Sequence, residues 1–131
     1  MLDHVTLIVK DVNRSKNFFQ AALEPLGYKL IREFSKSAGF GEKDADGFRK
    51  FWIREGEIQG SNFSCFAFTA HSKQEVDNFY TAALKAGGKD NGSPGYRTMY
   101  HPGYYAAFVI DPNGYNIEAV FDDMEKIDKK A

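Results

Sequence analysis

The chain has 131 residues, 43% of them hydrophobic and 27% charged, with a formal net charge of −1. That length supports one domain's core, the composition excludes disordered and fibrous classes, and the near-neutral charge leaves no footprint for nucleic acid. One cysteine, Cys65, excludes an intrachain disulfide and fits a reducing compartment. The apolar run Val5 to Val9 is too short for an export signal or a membrane span, so a cytoplasmic protein without membrane contact is expected.

His4 to Val9 reads as a strand, rich in β-branched residues. Asp11 or Asn13 caps a helix that runs to about Leu26, with Val12, Phe19, Ala22, Leu23 and Leu26 at helical spacing and Gly27 as its stop. Strands follow over Tyr28 to Phe34 and Ala38 to Lys43, and Asp46-Gly47 signals a hairpin into Phe48 to Arg54. Glu55 to Asn62, with two glycines, reads as a linker. Phe63 to Ala70 is then a strand, and Ser72 with Glu75 forms a capping box for a helix to Ala86, ended by Gly87-Gly88. Lys89 to Gly95 reads as a polar loop, Tyr96 to His101 as a short strand and Pro102-Gly103 as a turn. Tyr104 to Ile110 is a strand, and Pro112-Asn113-Gly114 turns into the last one, Tyr115 to Phe121. The charged tail 122–131 is a frayed helix or loose end.

The second half repeats the first. An offset of 61 residues lays Asn17-Phe18-Phe19 on Asn78-Phe79-Tyr80, Gly27 on Gly88 and His4 on Cys65. Each copy is strand, helix, then three strands. The expected fold is α+β: one domain over 1–131, built of two tandem βαβββ modules, about 1–56 and 61–121. They form a cupped eight-stranded mixed sheet with helices on the outer face. Aromatic residues make up 15% of the chain and many lie outside the helices. They serve either as large β-core side chains or as the lining of a cavity. No phosphate-binding glycine loop, paired-cysteine zinc spacing or Gly-x-Ser-x-Gly elbow is present.

The opening DHVTLIV with its helix, the capping-box helix ending Ala-Gly-Gly, and AAFVIDPNGYNIEAV (Ala106 to Val120) resemble the vicinal oxygen chelate superfamily. That superfamily holds glyoxalase I, extradiol dioxygenases and the bleomycin and fosfomycin resistance proteins. The likeness runs from about residue 2 to 121. It implies a homodimer acting on a small molecule, and one divalent ion (Zn, Ni, Fe or Mn) held by ligands from the first and fourth strands of each module. His4 and Glu118 match two of those positions and are the implied metal ligands. Cys65 stands at the third, either as a soft ligand or as a small buried thiol. At the fourth, gapless alignment gives Phe51, whereas strand alternation gives Trp52; neither binds a metal.

Alternation turns His4 inward with Thr6, and Glu118 toward the cavity between apolar Ile117 and Ala119. A carboxylate buried there needs a partner: a metal, His4, Arg97 or water. Glu118 is the candidate catalytic group, with His101 as a second acid or base, or else a solvated turn residue. Trp52, Cys65, Arg97, Tyr100 and Tyr104 are the candidate substrate-binding residues, Arg97 because its fork grips a carboxylate or phosphate. Two functions follow from the resemblance. One is a glyoxalase- or dioxygenase-like enzyme (lyase, isomerase or oxygenase) acting on a substrate with adjacent oxygens. The other is a metal-free binding or drug-sequestering protein of the bleomycin-resistance type.

Overall fold

The computed structural model describes residues 3–42, 50–58 and 65–128. The Asp46-Gly47 hairpin, the linker from residue 59 to Asn62, the first residues of the fifth strand (Phe63 and Ser64) and the end of the tail lie outside them. Strand β1, Val5–Val9, leads into α1, Val12–Leu23, whose N-cap is Asp11; its carboxylate accepts from the amides of Asn13 and Arg14. Pro25 has no amide hydrogen, so α-helical bonding stops at Leu23, and a 3-10 turn over Glu24–Leu26 ends on Gly27 at φ 87. Strands β2 (Tyr28–Glu33), β3 (Ser37–Glu42) and β4 (Phe51–Glu55) complete the first module.

Strand β5 (Cys65–Thr69) opens the second module. Helix α2 (Lys73–Lys85) begins at the predicted capping box, with the Glu75 amide donating to Ser72 Oγ and the Glu75 carboxylate accepting from the His71 amide. Strands β6 (Lys89–Tyr96), β7 (Tyr104–Ile110) and β8 (Asn116–Asp122) follow, then a short α3 (Met124–Asp128). The eight strands form two four-stranded mixed sheets, ordered β1-β4-β3-β2 and β5-β8-β7-β6. In each, the module's first and last strands pair in parallel.

One part of the reading in the second module is corrected. Lys89 to Gly95 is not a loop but most of β6, and 97–103 form turns where a short strand was expected. Two glycines and Pro94 lower strand propensity, yet β6 is an edge strand that among the described residues pairs with β7 alone, with register shifts at Gly92 and before Gly95. An edge tolerates the missing proline donor, and glycines suit bulges.

Both helices lie on the same side of the sheets and pack on one another. They cover Leu7, Val9, Phe40, Phe51 and Ile53 of the first module and Val109, Ile117 and Ala119 of the second, all buried. The repeat shows in this core: Phe18 and its equivalent Phe79 are both fully buried, and Phe68 meets Tyr28 and Phe51 edge-on at 5.6 and 5.2 Å across the module boundary. At Gly88 a Cβ would lie 2.4 Å from Val109 Cγ1 and 2.9 Å from the Ala83 carbonyl oxygen. A Gly88→Ala change is therefore expected to cost about 2 kcal/mol through overpacking. Urea denaturation checks it; a midpoint equal to that of the parent would contradict the close approach.

The turn Asp111-Pro112-Asn113-Gly114 does more than reverse the chain. Its Asn113 side chain accepts from the Lys10 amide (2.9 Å) and donates to the fully buried Ser15 hydroxyl (2.9 Å) and to Asp111. Asp111 accepts from the amides of Asn113 and Tyr115, and burial pushes its carboxyl up from the ordinary value against the pull of these bonds. The Tyr115 hydroxyl donates to the Ile8 carbonyl at 2.7 Å. The last hairpin is thereby bonded to the first strand and first helix, which sets the two modules edge to edge.

Candidate functional site

The strand registers identify which positions of the two modules correspond. Thr6 pairs with Trp52 in one sheet and Ala67 with Glu118 in the other, and Thr6 and Ala67 are themselves repeat equivalents. Trp52 is thus the counterpart of Glu118. Of the two positions considered for the first module's fourth strand, Phe51 is buried against the helix, and Trp52 stands on the opposite, concave face.

Glu118 is 4% exposed. Among the described residues its partners are the Tyr104 hydroxyl, which donates to Oε2 in a short hydrogen bond, and the Cys65 thiol, 3.7 Å from Oε1. Burial, and then the neighbouring Glu118, push both the Tyr104 hydroxyl and the Cys65 thiol up from their ordinary values, so both remain proton donors. Tyr104 pairs with Asp122, four residues along β8 from Glu118, so its ring must lie along the sheet face to reach that carboxylate. Tyr100 and His101 pack edge-on against the Tyr104 ring at 4.9 and 5.2 Å.

Among the described residues two hollows adjoin these positions. The larger, ≈350 Å³, lies at the seam between the modules, where His4, Lys50 and Phe51 of the first meet Cys65, Ala67 and Phe68 of the second. The smaller, ≈170 Å³, is lined by His4, Thr6, Ser37, Trp52, Ile53 and Arg54. His4 belongs to both, so the hollows adjoin there. The fold brings His4, Trp52 and Cys65 to this surface, with Glu118 and Tyr104 tied to it through Cys65.

The remaining candidates are spread around it. His101 packs on Tyr104, which in turn bonds Glu118; its Nδ1 donates to the Pro102 carbonyl at 2.8 Å and its Nε2 lies 3.1 Å from Asp122. Arg97 lies over the Phe108 ring, with its terminal nitrogens donating to the carbonyls of Gly95 (2.9 Å) and Ser93 (2.8 Å). Phe108 pairs with Glu118, so Arg97, just past the end of β6, lies on the same face. Tyr100 is largely exposed. Tyr105 turns the other way, donating to Asp77 at 2.7 Å.

Two residues that sequence reading missed shape the surface. Phe34 stacks on Trp52 (6.3 Å, 18° between planes), and Gly39 lies under the indole, where a Cβ would come within 2.9 Å of it. A glycine inside an apolar strand was the available signal, because it marks a close approach.

The tyrosines yield a pH prediction. Burial, then Asp77, push the Tyr105 hydroxyl up to about 12 from 10.0, and Tyr104 also stands above its ordinary value. Folded-state values above the unfolded ones mean that the stabilisation is complete below pH 10 and is lost as pH rises toward 12. Tyrosinate absorbance of the folded protein should lag that of the urea-unfolded chain, and Tyr105→Phe should shrink the alkaline loss of stability. Seven tyrosines titrating together at the ordinary value would contradict this.

The residues at the four implied metal positions do not fit an ion. His4 Nδ1 is 2.9 Å from Asp3 on an exposed edge, and both oxygens of Glu118 are engaged by Tyr104 and Cys65. Trp52 offers no ligand atom. Among the described residues no group of three or more His, Cys, Asp or Glu converges to hold a metal.

Paired βαβββ modules with a hollowed concave face and a carboxylate on the last strand define a class of cupped small-molecule proteins. The chain belongs to the Glyoxalase/Bleomycin resistance protein/Dioxygenase superfamily, whose sequence pattern matches residues 1–119. It is 30% identical to the uncharacterized protein YqjT of Bacillus subtilis (strain 168), over 91% of this chain and 97% of that one. A glyoxalase/bleomycin resistance protein from Albidiferax ferrireducens T118 superposes with a TM-score of 0.77 at 27% identity, over 92% of this chain and 98% of its own. The fosfomycin resistance protein FosX of Listeria monocytogenes shares the fold (TM-score 0.68, 24% identity, 96% of each chain). A mutant of FosX has been solved with Mn(II) and 1S,2S-dihydroxypropylphosphonic acid.

Proposed function

We propose that this chain holds an organic small molecule on its concave face, between Trp52 and Glu118, without the metal ion its family commonly uses. The observation that carries the reading is the register equivalence of those two residues: an indole stands where the fold would present a second carboxylate. Buried polar groups around a partly apolar hollow are the usual make-up of a ligand site. Metal analysis of protein purified without a polyhistidine tag, and ligand-induced melting shifts with and without chelator, test it. Expected are substoichiometric metal and chelator-independent shifts. Stoichiometric Ni, Zn, Mn or Fe that is lost in His4→Ala or Glu118→Ala would overturn it.

Turnover is a second reading, favoured by the Tyr104–Glu118 pair. Glu118 would take a proton from the bound molecule while Tyr104, backed by His101, holds the carboxylate in place; this is the glyoxalase- or dioxygenase-like alternative with acid–base chemistry in place of a Lewis acid. A homodimer, on the strength of the family resemblance, and a cytoplasmic location, on the single cysteine and the short apolar opening run, complete the proposal. No helix among the described residues is long and apolar enough to cross a membrane. Light scattering of the purified protein reads the oligomeric state.

A further inference from the structure

We propose that the first module's half of the concave face is a subsite for the aromatic, anionic end of the ligand: a ring bearing a carboxylate or phosphate. The inference rests on the concave-face reading above and adds the ligand's chemical class. Strand β4 sends Trp52 and Arg54 to the same face, two residues apart. Trp52 stands in one row between Thr6 and Gly39, and Arg54 in the next between Ile8 and Ser37.

The aromatic part of the subsite is built rather than incidental. Gly39 leaves the space the indole fills, and Phe34 stacks beside it while itself 56% exposed. The charged part is Arg54. It is exposed, lines the hollow, and among the described residues has no carboxylate within ion-pair distance. Its planar fork suits a carboxylate or phosphate, and the Ser37 and Thr6 hydroxyls in the same hollow add donors.

The second module differs. Glu118 stands in the row of Trp52, and Val120, which pairs with Thr69 as Arg54 pairs with Ile8, stands in the row of Arg54. Its own cation on that face, Arg97, lies over Phe108 and donates to the Gly95 and Ser93 carbonyls. Arg54 beside the indole is therefore the cation that lines a hollow, and an anionic end drawn to it orients the ligand. At ≈170 Å³ this hollow is below the roughly 300–1,000 Å³ of whole-ligand pockets. It takes one end of the molecule, and the rest extends past His4 into the larger hollow.

The chain's single tryptophan is Trp52, so its fluorescence reports directly on the subsite. Full-length protein would be titrated with benzoate, phenyl phosphate, benzyl alcohol and benzylamine, following Trp52 emission and calorimetric heat. Benzoate and phenyl phosphate should bind at least tenfold more tightly than benzylamine. R54Q should erase that preference while leaving benzyl alcohol unchanged and the melting temperature near that of the parent. Anions binding no better than benzylamine, or an unaltered preference in R54Q, would overturn the proposed class, while binding of benzyl alcohol or benzylamine at Trp52 would leave the concave-face reading standing. If no probe binds, both fall.

Discussion

Replacing Glu118 by Gln is expected to weaken ligand binding at the concave face about 10- to 100-fold. The amide keeps the shape of the carboxylate but loses its charge, and a hydrogen bond to a charged group is worth about 1.5–3 kcal/mol. It also sets an NH2 group against one of two donors, since Tyr104 and Cys65 each address a different oxygen. If the protein turns its ligand over, the same change should cost a further 10²- to 10⁴-fold, roughly the usual worth of a positioned base. Calorimetry on a ligand found by thermal-shift screening reads the first effect, and a rate assay the second. Parent-like affinity in Glu118→Gln would remove the carboxylate from the site.

Replacing Asn113 by Ala should destabilise the fold by about 3 kcal/mol, the upper end of the cost of leaving a buried polar group without its partner. Three hydrogen bonds disappear at once, one of them to the fully buried Ser15 hydroxyl, which is held by a residue 98 positions away. Ser15→Ala provides the control: its cost should be far smaller in the Asn113→Ala background than alone, because the two share one bond. Strictly additive losses in urea denaturation would show that the hairpin does not fasten the modules.

The two variants probe different levels of the molecule, and the levels were unequally legible. Capping at Asp11 and Ser72, the stop at Gly27 and the apolar rhythm of α1 and α2 are local signals, set by hydrogen-bonding capacity and residue spacing within a turn or two. They survive folding unchanged. Strand β6 is illegible for the converse reason: Gly92, Pro94 and Gly95 carry loop propensity, and pairing with β7 at a sheet edge makes them a strand.

The site divides in the same way. Alternation around Ile117 and Ala119 was enough to turn Glu118 away from the helices, and the structure has it so, buried at 4%. Nothing in the chain disclosed that Tyr104 and Cys65 would take up that carboxylate, because the contacts span 14 and 53 residues and depend on the lie of a ring along the sheet. Alternation likewise turned Trp52 rather than Phe51 to the cup, and the pairing of β4 with β1 sets it beside Thr6.

From the residues alone came the duplication, the class of fold and the carboxylate that faces the cup, since repeat, period and propensity are written in neighbours. Folding decided what those groups meet. Arg97, just past the end of β6, donates to the carbonyls of Gly95 and Ser93, whereas Arg54, unremarked in the chain, faces a hollow beside the indole. Side-chain partners separated by tens of residues are chosen by strand register and by the packing of the two modules, and neither is encoded at any single position.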